Sequence, residues 1–353
     1  MPFVQPAFSK SQVNKAGSIL VASDERPQSD RAWADAVLAN WRACHGYPMN
    51  TFQATLRSKL KRIDNDAIVA QRLKRAPSII LKLKRFPQMS LARMQDIGGL
   101  RAVLLDASKA RATEAAYKSA RFSHDLVNSK NYIDEPKKDG YRGIHLIYRY
   151  SNSQAQAYDG LCLELQLRTR LQHAWATAVE TMGTFLDQAL KSGQGDAKWR
   201  QFFACASAAL ALREGTAAVP GFEDCSSRDL AGQLTSLEGR LHVLATLRGF
   251  AIATAHITRE RGQGAYHLIT LNSQEKTVHI KPYPVGELER ANLDYAEMEG
   301  RARNGEPIEA VLVAAGPVDT LRKAYPNYFL DTNVFVREIR RAMSIHYRQS
   351  ASR

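Results

Sequence analysis

Two carboxylates stand where they are costly or conspicuous. Glu164 lies in "GLCLELQLR" (160–168), a run otherwise dominated by leucine, and Asp96 precedes the Gly-Gly of "QDIGGLR" (95–101). A carboxylate in so apolar a strand must be paired, hydrogen-bonded or bound to metal. Glu164 therefore reads either as a metal-binding or catalytic group or as the structural partner of a core arginine such as Arg168. Asp96 reads as a Mg²⁺ ligand at a strand edge or as a turn former. Upstream, in "QRLKRAPSIILKLKR" (71–85), Arg72 and Lys74 alternate along a β-type run and share one face. Ser78 follows at the start of a helix, with Lys82 one turn further on. A helix N-terminus with three cations makes a phosphate cradle, or else a solvated amphipathic helix. In "YIDEPKKDGYRGIHL" (132–146), Asp-Gly marks a turn, and Tyr141 and Arg142 follow at the mouth of a half-buried strand beside Lys137 and Lys138. Downstream, Gln172, His173 and Glu180 fall on a helix. His173, next to Trp175, reads as a packed core histidine.

The elements that must position these groups are readable in outline. Residues 29–63 read as two helices broken near "HGYPMN"; "AIVAQRL" is a strand and "APSIILKLKRF" a helix with Pro77 in its first turn. "LRAVLL", "GLCLELQLR" and "RGIHLIYRY" read as strands. Helical pattern returns over about 170–190, 197–214 and 226–247. After 248 come short β-type runs, "FAIATAHIT", "AYHLITL", "KTVHIKPY" and "IEAVLVAAG", and then a helix near 332–347.

The 353 residues carry a net charge of +14, and its placement is uneven. Residues 51–150 hold 21 Lys/Arg against 9 Asp/Glu, almost the whole excess. Such a field attracts polyphosphates: nucleotides or nucleic acid. No apolar run reaches membrane-span length, and "MPFVQPAFSKSQ" lacks an export leader. The four cysteines are scattered without a CxxC pair, which points to a reducing cytoplasm and away from a zinc ribbon.

Taken in order, the four clusters resemble the synthetase domain of the RelA/SpoT family, the alarmone pyrophosphokinases, over about residues 60–185. "QHAWA" resembles the short single-synthetase members. The resemblance implies an α+β fold: a nucleotidyltransferase-like mixed sheet flanked by helices, followed here by a smaller C-terminal β-rich domain ending in a helix. It implies ATP as pyrophosphate donor and Mg²⁺ as cofactor. Arg72 and Arg101 match the pair that sandwiches adenine; Lys74, Ser78 and Lys82 match the triphosphate grip. Asp96 and Glu164 match the metal-binding, catalytic carboxylates. Tyr141 matches the tyrosine that stacks on the acceptor base, its ring standing free after the turn. Lys137, Arg142, His145, Gln166 and Arg168 line the acceptor side. Asp139 departs from the asparagine often found there, adding a negative charge beside the acceptor.

The tail after 248 contains "RKAYPNYFLDTNVF", whose Tyr325 and Tyr328 form a YxxY pair. It resembles the fused toxin–antitoxin members, the CapRel group, in which a C-terminal pseudo-zinc-finger domain blocks the active site until a phage capsid protein binds. That implies a pyrophosphokinase domain over 1–248 and a regulatory domain over 249–353, with Tyr325 and Tyr328 autoinhibitory. The basic synthetase half suits tRNA as acceptor, with no DNA or membrane partner. A regulated (p)ppGpp or (p)ppApp synthetase is the alternative, and a catalytically dead RNA-binding module a third.

Overall fold

The computed structural model of the chain describes residues 3–22, 27–119, 123–185, 190, 196–244, 247–248, 265–272, 274–275, 277–314 and 332–350. Helices α1 (Lys10–Val21), α2 (Gln28–Ala43) and α3 (Gly46–Ile63) precede the central sheet. That sheet is built from β1 (Ile68–Leu73), β2 (Gly98–Leu104), β3 (Asp125–Asn131), β4 (Ile144–Arg149) and β5 (Cys162–Thr169), in the order β1-β2-β5-β4-β3. Only β2 and β5 run parallel, so the sheet is mixed. Helices α4 (Ala76–Arg85) and α5 (Ala107–Lys118) connect its strands.

Alternation along β5 explains its two faces. Leu163, Leu165 and Leu167 are buried with Phe52, Leu56 and Leu60 of α3 in one core. Glu164, Gln166 and Arg168, offset by one residue, point to the other face. In α4, Ile79 and Leu83 are one turn apart and buried, while Lys84 and Arg85 are exposed. Pro77 sits in its first turn, where its missing N–H costs nothing.

A second core joins α6 (Arg170–Phe185), α7 (Ala197–Glu214), α8 (Ser227–Leu241) and the last helix. Thr169 and Gln172 open α6 as a capping box: each side chain accepts a hydrogen bond from the other's backbone N–H. Further on, β6 (Tyr266–Asn272), β7 (Thr277–Tyr283) and β8 (Ile308–Ala314) form a small antiparallel sheet, order β7-β6-β8. Helix α9 (Leu288–Arg303) packs on it through Ala291 and Tyr295. Helix α10 (Asn333–Ser350) does not join that unit; its Phe335, Val336 and Ile339 complete the core of α6–α8. The segments after 248 thus divide, with the small sheet and α9 beside β1, α2 and α4, and α10 with the helical layer. The run "FAIATAHIT" lies outside the described residues, as do Tyr325 and Tyr328. Helices α1, α5 and α9 and strand β3 are additions to the sequence reading.

Candidate active site

One cleft on the open face of the central sheet collects groups from all four clusters. It is lined by Arg72, Lys74, Asp96, Arg101, Lys137, Asp139, Tyr141, His145, Glu164, Gln166 and Arg168, with Ala70, Gly99 and Leu100. Strand register puts them there. Arg72 pairs across β1–β2 with Gly99, which pairs with Glu164; Arg101 pairs with Gln166, which pairs with His145. Paired residues share a face, so Arg72 and Arg101 are diagonal neighbours, roughly 7–8 Å apart. One flat ring fits between two side chains at that spacing, at about 3.5–4 Å from each.

The glycines of "DIGGLR" do different jobs. Gly98 packs between strands and helix: a Cβ there would come within 2.8 Å of Leu163 Cδ2 and 2.9 Å of His45 Cβ. Gly99 faces the cleft. Asp96 is not a turn former alone, since its two oxygens take Lys74 Nζ at 3.0 Å and Lys82 Nζ at 2.9 Å. Lys82 therefore reaches the site through Asp96. Ser78, the third residue of α4, is partly buried and does not line the cleft.

Glu164 accepts hydrogen bonds from His145 Nδ1 at 2.8 Å and Gln166 Nε2 at 2.7 Å, so His145, and not Arg168, is its ion-pair partner. Arg168 donates instead to Tyr141 Oη at 3.1 Å and Gln166 Oε1 at 3.3 Å. Tyr141 Oη lies 2.5 Å from His145 Nε2. The tyrosine ring does not stand free: its hydroxyl is pinned, and Lys137 Nζ and the Arg168 guanidinium lie 5.1 and 5.2 Å from its centroid. These contacts set the protonation of the row. Burial opposes the charge of Glu164, but the hydrogen bond and charge of His145, with Gln166 and Lys74, hold it at about 2. Burial likewise opposes a charged His145, yet Tyr141 and Glu164 raise it to about 9. Burial would raise Tyr141, whereas Arg168 and His145 bring it down to about 7.

The turn carrying Tyr141 is fixed by its own backbone and by α7. Asp139 folds back to accept the Tyr141 N–H at 2.9 Å, which spends part of its charge inside the turn. Gly140 has φ +90° and sits so close to α7 that a Cβ would meet Ser207 Cβ at 2.9 Å. Arg142 is a correction to the sequence reading: it is 2% exposed and does not line the cleft. Its guanidinium pairs with Glu214 at 2.5 Å and donates to Ser207 and Thr216 at 3.1 and 3.2 Å. A buried guanidinium must find such partners, and they come from α7 and the residues after it, outside the four clusters. Ser207 and Glu214 are thus supporting residues that the sequence reading missed; no local spacing links them to the turn.

Asp96 and Glu164 face the same cleft, and the Lys74 ammonium lies on Asp96 and close enough to Glu164 to depress its pKa. Among the described residues no group of three or more His, Cys, Asp or Glu could hold a metal by itself. Two carboxylates suit Mg²⁺ delivered with substrate phosphates, which complete its shell.

Residues 71–183 match the family model for the region found in RelA / SpoT proteins. Among particular relatives, the GTP pyrophosphokinase YjbM of Bacillus subtilis (strain 168) is 32% identical over 111 residues, 31% of this chain and 52% of that protein. The uncharacterized protein Rv1366 of Mycobacterium tuberculosis (strain ATCC 25618 / H37Rv) is 25% identical over 182 residues, 50% of this chain and 60% of that protein. The chain therefore spans about half the length of the curated relatives it matches. Among solved structures, the small alarmone synthetase 1 from Bacillus subtilis is 22% identical, covering 52% of this chain and 92% of that one, with a TM-score of 0.41.

Proposed function

We propose that the chain is an ATP-dependent pyrophosphokinase that transfers the β,γ-pyrophosphoryl group of ATP to the 3′-hydroxyl of tRNA. The observation that carries the chemistry is that one cleft is lined by Asp96 and Glu164 together with Arg72, Lys74 and Arg101 on β1, β2 and their connectors and with Lys137, Tyr141, His145, Gln166 and Arg168 toward β4 and β5. On the donor flank, adenine lies between Arg72 and Arg101, and the triphosphate draws Lys74 and Lys82 off Asp96. Mg²⁺, held by Asp96 and Glu164, would supply charge neutralisation at the transferring phosphates. On the acceptor flank, the cationic His145, Lys137 and Arg168 hold phosphate oxygens, and Tyr141 offers its ring to the terminal base. The hydroxyl oxygen attacks the β-phosphorus; the bond from that phosphorus to the α-phosphate oxygen breaks, and AMP leaves. Glu164, with its depressed pKa, is a weak base, better suited to orienting the hydroxyl and holding metal than to keeping its proton, which passes to solvent.

The basic excess of residues 51–150 supports a tRNA acceptor, whose phosphates would supply the affinity. Pyrophosphorylating the 3′ end blocks aminoacylation and so translation. The same proposal holds that the C-terminal part keeps the enzyme inhibited through Tyr325 and Tyr328 until a phage capsid protein binds. What supports it is the resemblance of the tail to the fused toxin–antitoxin members. A second reading, a regulated (p)ppGpp or (p)ppApp synthetase, is favoured on its guanine side by the name of the Bacillus relative. The experiment is incubation of the chain carrying Tyr325→Ala and Tyr328→Ala, which lifts the proposed inhibition, with γ-labelled ATP and either bulk tRNA or GDP. Label in tRNA that declines steeply with added salt is the expected result; label in GDP alone, insensitive to salt, rejects the tRNA acceptor.

A further inference from the structure

The donor flank is held from behind by the C-terminal part of the chain. Glu299 of α9 is buried, and its carboxylate takes Arg42 Nη1 at 2.7 Å, the Ala76 backbone N–H at 2.9 Å and the Tyr295 hydroxyl at 2.8 Å. Arg42 of α2 in turn donates through Nε to the Lys74 carbonyl at 2.9 Å and through Nη2 to Tyr295 Oη at 2.5 Å. One ion pair, between residues 257 apart in sequence, thus grips the carbonyl of residue 74 and the N–H of residue 76. Between these lies the connector from β1 to α4, whose Lys74 side chain reaches Asp96. The Lys74 N–H completes the clamp by donating to the Ile97 carbonyl at 2.7 Å.

Helix α4 has no side-chain cap of its own: Arg75 occupies the N-cap and makes no capping hydrogen bond. Glu299 supplies that cap from another segment, satisfying an N–H that would otherwise be orphaned and placing an anion at the positive end of the helix. Neither Glu299 nor Arg42 lines the cleft; both line a separate groove between α2 and α9. The contact therefore braces the connector and does not plug the site.

We propose that Glu299 and Arg42 are positioning residues for the phosphate donor, so that the part of the chain expected to restrain the enzyme also builds its donor site. This rests on the pyrophosphokinase reading of the cleft. The test uses the full chain carrying Tyr325→Ala and Tyr328→Ala, which lifts the proposed inhibition, with α,β-methylene-ATP binding measured by calorimetry beside steady-state KM values for ATP and acceptor. Glu299→Gln keeps an oxygen for Ala76 but removes the charge that orients Arg42. It is expected to weaken analogue binding and raise the ATP KM about tenfold, with the acceptor KM within twofold. Arg42→Lys keeps the ion pair but loses the parallel bond to the Lys74 carbonyl; it is expected to give about a threefold loss, and it serves if Glu299→Gln does not fold. Unchanged donor affinity in a folded variant, or equal losses on both substrates, overturns the brace. Tighter donor binding overturns it too and makes the contact inhibitory. A chain in this released background that binds no analogue rejects the pyrophosphokinase reading itself, a result distinct from a Glu299 or Arg42 variant that binds like its parent.

Discussion

Asp96 rests between Lys74 and Lys82, and Glu164 between His145 and Gln166, so neither carboxylate is idle before substrate arrives. On the proposed reading, donor entry would exchange these partners: lysines to phosphates, carboxylates to metal. Asp96→Asn and Glu164→Gln should each lower transfer at least a hundredfold, about 2.7 kcal/mol or more, while circular dichroism and melting show an intact fold. Near-normal turnover in folded Glu164→Gln protein would contradict its role. Removing the Tyr141 ring should cost roughly 1–3 kcal/mol of base stacking, about ten- to a hundredfold in acceptor use, with little change in ATP binding. Equal losses of both would put Tyr141 on the donor side. The His145–Glu164 pair also predicts a pH signature. His145 is raised from 6.5 to about 9, so its stabilising contribution is complete below 6.5 and disappears as pH rises through 9. Glu164 is lowered from 4.5 to about 2, so its contribution is complete above 4.5 and disappears as pH falls through 2. Melting temperatures of wild type and His145→Gln should differ between pH 4.5 and 6.5 and converge as pH falls through 2, where Glu164 is protonated. A gap that stays unchanged down to pH 2 would contradict the ion pair.

At the scale of elements, the proposed acceptor side depends on how α7 holds the turn after β3. Arg142, Glu214, Ser207 and Gly140 form one buried joint, and Glu214 also accepts from the Thr169 hydroxyl at the end of β5. Breaking one half of such a pair leaves a buried charge without its partner. Arg142→Ala should therefore cost about 3–5 kcal/mol of stability, and Arg142→Met combined with Glu214→Leu clearly less. Denaturant unfolding checks this, and a single mutant as stable as wild type would show that the joint holds nothing. The same element explains why a conspicuous arginine in a basic run is not a ligand contact: the tight approach at Gly140 turns it into the helical layer.

For the whole molecule, the path of the chain after 248 matters more than its sequence position. Phe335, Val336 and Ile339 of α10 are 0–3% exposed within the core of α6–α8, and Phe203 and Phe335 have ring centroids 6.0 Å apart. Truncation at 248 removes these side chains, each worth about 1.5–3 kcal/mol of burial, and takes Glu299 from Arg42. The shortened chain should be less soluble and melt well below the full chain, and it should not behave as a released enzyme. A stable, fully active 1–248 fragment would contradict this. No helix among the described residues is long and apolar enough to cross a membrane.

Much of the site was legible in the sequence because its groups sit in short runs whose local geometry is periodic. Alternation in "LELQLR" puts Glu164, Gln166 and Arg168 on one face in any sheet, and Pro77 with the apolar spacing of α4 marks a helix start in any context. Which lysine meets which carboxylate, that His145 and not Arg168 pairs with Glu164, and that Arg142 turns inward were decided by strand register and by α7. The same holds for Glu299, which finds Arg42 and Ala76 across more than two hundred residues. Sequence determines a side chain's own face through backbone periodicity, whereas the partner of a buried charge is whatever the packed elements bring within hydrogen-bond reach, and that distance exists only once the chain has folded.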